Sequence, residues 1–201
     1  SPTATNTPLP NPALVCVAEE EAPPTIDGSY SVTEWPDALK LYQFQPDENL
    51  NRLVQVYVVR DANTLYMAFL INDNTQDASD SLRVYFDTTN NDGDPDTTDR
   101  FFQVGRDDSQ AVWAGIGSNS DANNWNSSYT STNWEAAIGE PGGNQWVVEM
   151  AITVSAEMGA LADPFGLMTQ VLYTGALATW PEGGQSNNPG SWQDVNNVSC
   201  P

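Results

Sequence analysis

The chain has 201 residues, enough for one domain with a single apolar core plus a tail. Its 27 acidic residues against 6 basic ones leave a net charge of -21 at pH 7, which repels nucleic acid and anionic lipid and discounts both as partners. With no histidine there is no Ser-His or Cys-His catalysis and no zinc site of the usual His/Cys kind, and no apolar run is long enough to insert into a bilayer.

Residues 1–12 (SPTATNTPLPNP) are rich in Pro, Thr and Asn, the composition of an extended linker or stalk. This start is no signal peptide and lacks an initiator Met, which reads as a processed or excised chain. A short apolar segment, ALVCVA (Ala13 to Ala18), and a second Pro-rich stretch, EEEAPP (Glu19 to Pro24), follow. The division is therefore a tail over 1–23 and one domain over 24–201.

Cys16 and Cys200 are the only cysteines and stand at opposite ends of the chain. A disulfide between them would staple the termini, worth roughly 5 kcal/mol in the chain-entropy model, and would place the protein outside the cell. Two buried free thiols are the alternative. The sequons at Asn126 and Asn197 agree with a secreted glycoprotein, although such triplets are common by chance.

From Leu39 onward the apolar period is two. RLVQVYVVR (Arg52 to Arg60) puts Val54, Val56 and Val58 on one face, and TLYMAFLI (Thr64 to Ile71) alternates again after the turn residues Asp61 to Asn63. SLRVYFD, RFFQVGR, QAVWAG, QWVVEMAITV and GLMTQVLYTG continue the series, rich in β-branched and aromatic residues. Only Val154 to Ala162 has room for a helical turn or two. The fold class expected is all-β: an antiparallel two-sheet β-sandwich, jelly-roll or immunoglobulin-like, with an extended N-terminal tail.

Between two of these strands lies DTTNNDGDPDTTDR (Asp87 to Arg100), with five aspartates and two asparagines. Hard cations take six to eight oxygens, and closely spaced Asp and Asn in a tight turn supply them. Asp87, Asn90, Asp92, Asp94, Asp96 and Asp99 are the candidate Ca²⁺ ligands, with Gly93 providing a sharp bend. The loop matches D-x-[DN]-x-[DN]-G only partly, since Thr88 holds the first position. A solvated acidic turn is the alternative. The stretch Asn72 to Asp80 is a candidate for one further ligand or a weaker site.

Five phrases in order resemble the family 9-like carbohydrate-binding modules, relatives of the DOMON sandwiches. They are PTIDGSYSVTEWPDALKL, VYVVRDANTLYMAFLINDNT, SLRVYFDTTNNDGD, WVVEMAITVS and FGLMTQVLYT with Trp180 and Trp192. The resemblance implies a non-catalytic β-sandwich, calcium in some members, and attachment to secreted or surface proteins. It points away from the haem-binding relatives, because no histidine is present to ligate iron. In sugar-binding members an aromatic follows the acid that ends the second hairpin strand. Asp73 matches that acid, and Thr75 stands where the aromatic would be. Arg100 carries over as a hydroxyl-binding group, or as an ion-pair partner of the loop's own aspartates.

Sugars are held by flat aromatic faces and by amides and carboxylates. Trp35 and Trp146 read as core, and Trp113 as a strand residue. Trp125, Tyr129, Trp134, Trp180 and Trp192 lie in polar connections and are the candidate stacking residues, unless the 117–134 loop folds over a sheet with its aromatics as plugs. Glu135, Glu140, Glu149 and Glu182 are the carboxylates a glycosidase would use, but no deep-cleft signature accompanies them. Two functions stand: an extracellular, calcium-binding module that takes a polysaccharide or glycan, and a structural subunit that binds copies of itself. In the second, Ala13 to Ala18 would add a strand to a neighbour.

Overall fold

The computed structural model describes residues 11–18, 21–35, 39–45, 52–117 and 124–201; the expected linker over 1–10 lies outside this set. Twelve strands make up the framework of the described chain. They are β1 Leu39–Phe44, β2 Val54–Arg60, β3 Thr64–Asn72, β4 Ser81–Asp87, β5 Arg100–Gly105, β6 Gln110–Gly115, β7 Trp125–Asn126, β8 Trp134–Gly142, β9 Gln145–Thr153, β10 Phe165–Tyr173, β11 Ala176–Trp180 and β12 Gln193–Val195. One helical turn, α1 (Val154–Glu157), and a 3₁₀ turn at Pro189–Ser191 complete it.

The strands form two antiparallel sheets. The first runs β1-β2-β3-β9-β8, and the second runs β11-β10-β4-β5-β6-β7 with β12 paired to β10. The period-two runs produce this directly. Val54, Val56 and Val58 of the first sheet meet Leu82, Val84, Phe86, Phe102 and Val104 of the second in one core. β2 and β3 join through Asp61, whose Oδ1 accepts the amides of Asn63 and Thr64, which explains the tight turn.

Four strands fall where connections were expected: β7, β8, β11 and β12. Trp125 therefore lies in β7, Trp134 opens β8 and Trp180 ends β11, rather than in loops. β8 (WEAAIGEPG) has few β-formers and no fully buried residue, and it turns only half-buried Trp134, Ala136 and Ile138 to the core. Its pairing with β9 holds it in place.

The apolar segment 13–18 packs on its own domain. Leu14 donates its amide to the Asn196 carbonyl at 3.0 Å, and Val17 donates to the Arg60 carbonyl at 2.8 Å. Leu14 is buried, and Cys16 is bonded to Cys200, with Cα atoms 5.6 Å apart. The segment thus ties β2 of the first sheet to the chain leaving β12 of the second.

The opening phrase IDG…W has a physical cause. Glu149, fully buried in β9, accepts the amides of Asp27, Gly28 and Ser29 on Oε2 and the Trp35 indole on Oε1. Gly28 has φ +82, and a Cβ on Gly139 of β8 would lie 1.9 Å from the Gly28 carbonyl, so neither position has room for a side chain.

Candidate functional site

The acidic loop leaves β4 at Asp87 and returns to β5 at Arg100, where pairing resumes at once between Phe86 and Arg100. Its aspartates are organised by the loop's own donors. Asp87 accepts the amides of Asn91 and Asp92, and Asp99 accepts those of Thr88 and Asp96. Asp96 accepts the Thr98 amide and hydroxyl on Oδ1 and the Asn91 side-chain amide on Oδ2. The sharp bends are at Asn90 and Asp92, both left-handed at φ 52 and 55, and not at Gly93. Asn and Asp tolerate that region because their short side chains bond locally. Asp87 and Asp99 are fully buried, and burial raises both carboxyls, Asp99 to about 7 with Asp87 and Asp96 adding to the effect. Among the described residues no three acidic groups converge as a ready metal cage.

Arg100 was expected to pair with these aspartates or to meet a sugar. Instead its Nε donates to Glu157 Oε1 at 2.9 Å, and its Nη1 donates to the carbonyls of Thr97 and Asp99. It shares the inward-facing parity of Phe102 and Val104 on β5, which directs it to Glu157 and away from the loop's carboxylates.

The stretch 72–80 contributes nothing to that loop, because Asp80 and Asp87 stand at opposite ends of β4. Seven residues at about 3.3 Å each separate them by roughly 20 Å. Asp73 and Asp80 are buried around Arg106, whose Nη1 lies 2.5 Å from Asp73 Oδ2 and 3.8 Å from Asp80 Oδ2. Arg106 Nε reaches Glu140 at 2.7 Å. Thr75, in the place of the expected aromatic, donates its amide and hydroxyl to Asp73 Oδ1. Burial works to raise Asp73, but hydrogen bonds from Thr75, Asp80 and the Gln76 amide outweigh it and lower the carboxyl. Burial and the adjacent Asp73 push Asp80 up to about 6. Asp73 is therefore spent on an internal ion pair.

The five candidate aromatics divide among three places. Trp125 and Trp192 lie nearly parallel, 6.5 Å between centroids, over Tyr85 on the outer face of the second sheet. Each is about nine-tenths buried, and their indole N–H groups donate to the carbonyls of Ser186 and Gln185. These two act as a cover on the sheet. Trp180 stacks on Tyr42 of β1 at 3.5 Å. Tyr129 and Trp134 come together in a groove.

That groove, about 340 Å³, lies along β6. β7 pairs only with Ala114 and Gly115, so the remainder of β6 is a sheet edge. Ala111, Trp113, Tyr129 and Trp134 line it where it wraps this edge, Trp113 from the outer face of the sheet and Tyr129 and Trp134 from the inner side, and Ser127, Thr130 and Ser131 bring hydroxyls. Gln110 bridges to β8 by donating Nε2 to the Ala136 carbonyl at 2.9 Å. Trp134 is set edge-on against Phe102, and the Tyr129 ring lies under the Arg100 guanidinium at 4.6 Å, with its hydroxyl on Glu157. Trp113 stacks one face flat on Phe101, 4.0 Å and 4° apart, which leaves it one free face. Trp113 is thus the wall that reading the sequence passed over. Strand alternation carried the signal, since Trp113 and Ala111 have the opposite parity to buried Val112.

Three solved structures share this architecture. A family 9 carbohydrate-binding module from Caldicellulosiruptor kristjanssonii in complex with cellotriose matches at TM-score 0.64 and 16% identity, covering 94% of this chain and 94% of that one. The same organism's module in complex with glucose matches at TM-score 0.63 and 15% identity, over 94% and 97%. A Bacteroides uniformis protein matches at TM-score 0.58 and 11% identity, over 92% and 97%. The fold is that of the family 9 carbohydrate-binding modules. No protein-family model matches the chain, and no curated protein matches it.

Asp73, which matches the family's acid, is paired to Arg106, and Thr75, which departs from the family's aromatic, bonds to Asp73. Of the glutamates a hydrolase would need, Glu149 is filled by amides and an indole, and Glu140 is paired to Arg106. The sequons differ: Asn126 is exposed, while the Asn197 side chain bonds Arg60 and the Leu161 carbonyl.

Proposed function

We propose that this chain is a non-catalytic, extracellular carbohydrate-binding module that holds a neutral glycan in the Trp113–Trp134 groove. The observation that carries the reading is the face of Trp113 turned away from Phe101, at a groove that Tyr129, Trp134 and the hydroxyls of Ser127 and Thr130 also line. A pyranose ring stacks on such a face, and its hydroxyls bond to small polar side chains. The net charge of -21 disfavours acidic sugars. The Cys16–Cys200 bond fits an oxidising compartment outside the cell, and among the described residues no helix is long and apolar enough to cross a membrane. The family 9 neighbours were solved with cellotriose and glucose, so β-linked glucose oligomers are the first ligands to try.

Titration calorimetry with cellotriose tests the reading. Binding is expected, with a loss of about tenfold or more in Trp113→Ala and partial retention in Trp113→Phe. Equal affinity in Trp113→Ala, or no binding at millimolar sugar, would sink it.

We propose in addition that the 87–100 loop takes Ca²⁺. Two observations support this. Asp87 and Asp99 are buried carboxylates with raised pKa values, and no described lysine or arginine comes within ion-pair distance of any carboxylate in the loop. An amide bond to a carboxylate oxygen leaves it a second lone pair for a cation. Asp87 and Asp99 would hold the ion, with Asn90, Asp92, Asp94 and Asp96 completing the oxygen set, and the ion would supply the missing positive charge. Chelation is expected to lower Tm, and Asp99→Asn to abolish the effect of added Ca²⁺. An unchanged Tm on chelation refutes the ion.

A further inference from the structure

The register of the second sheet places two straight rows of side chains on its outer face. Met168, Tyr85, Phe101 and Trp113 pair in succession across β10, β4, β5 and β6. Beside them Thr179, Gln170, Arg83, Gln103 and Ala111 pair in succession across β11, β10, β4, β5 and β6. The first row is apolar and the second is mostly polar. Each row lies opposite the core residues Leu82, Val84, Phe102 and Val104, so each faces away from the sandwich.

The polar row joins two cavities. Ala111 at one end lines the groove with Trp113 and Trp134. Thr179 at the other end lines a cavity of about 440 Å³ with Trp180, Leu177 and Gln43. Between them the amides are held in place. Arg83 Nε donates to Gln103 Oε1 at 2.7 Å, and the Tyr85 hydroxyl donates to Gln170 Oε1 at 3.2 Å. Both bonds use the amide oxygens. Gln170 is buried, but the Gln103 NH₂ group and the edge of the Arg83 guanidinium, which lies over Phe101, stay on the half-exposed part of the row as donors of the type that reads sugar hydroxyls. Trp125 and Trp192 roof Tyr85, while Arg83, Gln103 and Thr179 stay half-exposed.

We infer that this row is a second part of the binding site, and that the ligand is an internal segment of an extended neutral polysaccharide running from the Trp113 groove across the sheet towards Thr179. The inference rests on the groove reading given above. Five adjacent strands span about 19 Å at roughly 4.8 Å per strand. A pyranose repeat is close to one strand spacing in length, so successive sugars meet successive side chains. The row holds one charge, Arg83, among neutral groups, which suits hydroxyls better than carboxylates.

The test is a length series, glucose to cellohexaose, titrated into the full chain and into Gln103→Ala and Arg83→Gln. Wild type is expected to gain about tenfold in affinity from the shortest to the longest ligand. Both variants are expected to bind glucose, which fills the groove alone, like wild type and to lose most of that gain. Cellohexaose binding no tighter than glucose overturns the track and leaves the groove standing. A gain that persists undiminished in both variants also overturns it. No binding at any length overturns the groove and the track together.

Discussion

Asp99 shows how one buried carboxyl links the fold to its surroundings. Burial pushes it from an ordinary value of 3.8 to about 7. A carboxyl whose pKa is higher folded than unfolded favours the folded state while protonated. Its contribution is complete below pH 3.8 and is lost as the pH rises through about 7. In chelator, Tm is therefore expected to decline over that window. A bound cation reverses the sign by favouring the ionised form, so the gain from Ca²⁺ should grow with pH, and Asp99→Asn should flatten both curves. Arg106 is the contrasting case, in which the chain supplies its own cation to Asp73 and Asp80. The two acidic stretches look alike in sequence. What separates them is an arginine that arrives from β5's far end, which no local pattern displays.

At the level of elements, alternation did most of the reading. SLRVYFD became β4 over the same residues, and the valines of β2 point into the core as their spacing requires. The failures share one physical cause. β8 and β11 are edge strands with half-exposed or small residues, so no burial contrast marks them, and pairing with β9 and β10 creates them. The same failure hid the groove, because Trp134 was placed in a loop and Trp113 was left as a strand residue without a partner. Tyr129 and Trp134 were legible as aromatics among hydroxyls. That they meet Trp113 at one groove depends on packing between two sheets. The N-terminal segment carries its own expectation. It has only a few backbone bonds to β2 and Asn196, so its hold depends on the Cys16–Cys200 link. Replacing both cysteines by serine is expected to cost about 2–5 kcal/mol in chemical denaturation. A loss below measurement would mean the segment docks without it.

For the molecule as a whole, the sandwich and its likeness to the family 9 modules were visible in five ordered phrases, and the Glu149 hub explains why the first and fourth belong together. The proposed ligand site was less visible, since the position carried over from the family, Asp73, is closed by ion pairs, and the free aromatic face lies on the β6 edge. The account stands on that displacement. A crystal structure of the complex with cellotriose tests it most directly. The expected result is a glucosyl ring stacked on the free face of Trp113, with Ser127, Thr130 or Ser131 bonded to its hydroxyls. Sugar bound at the Asp73–Arg106 end instead, with the groove empty, would contradict it.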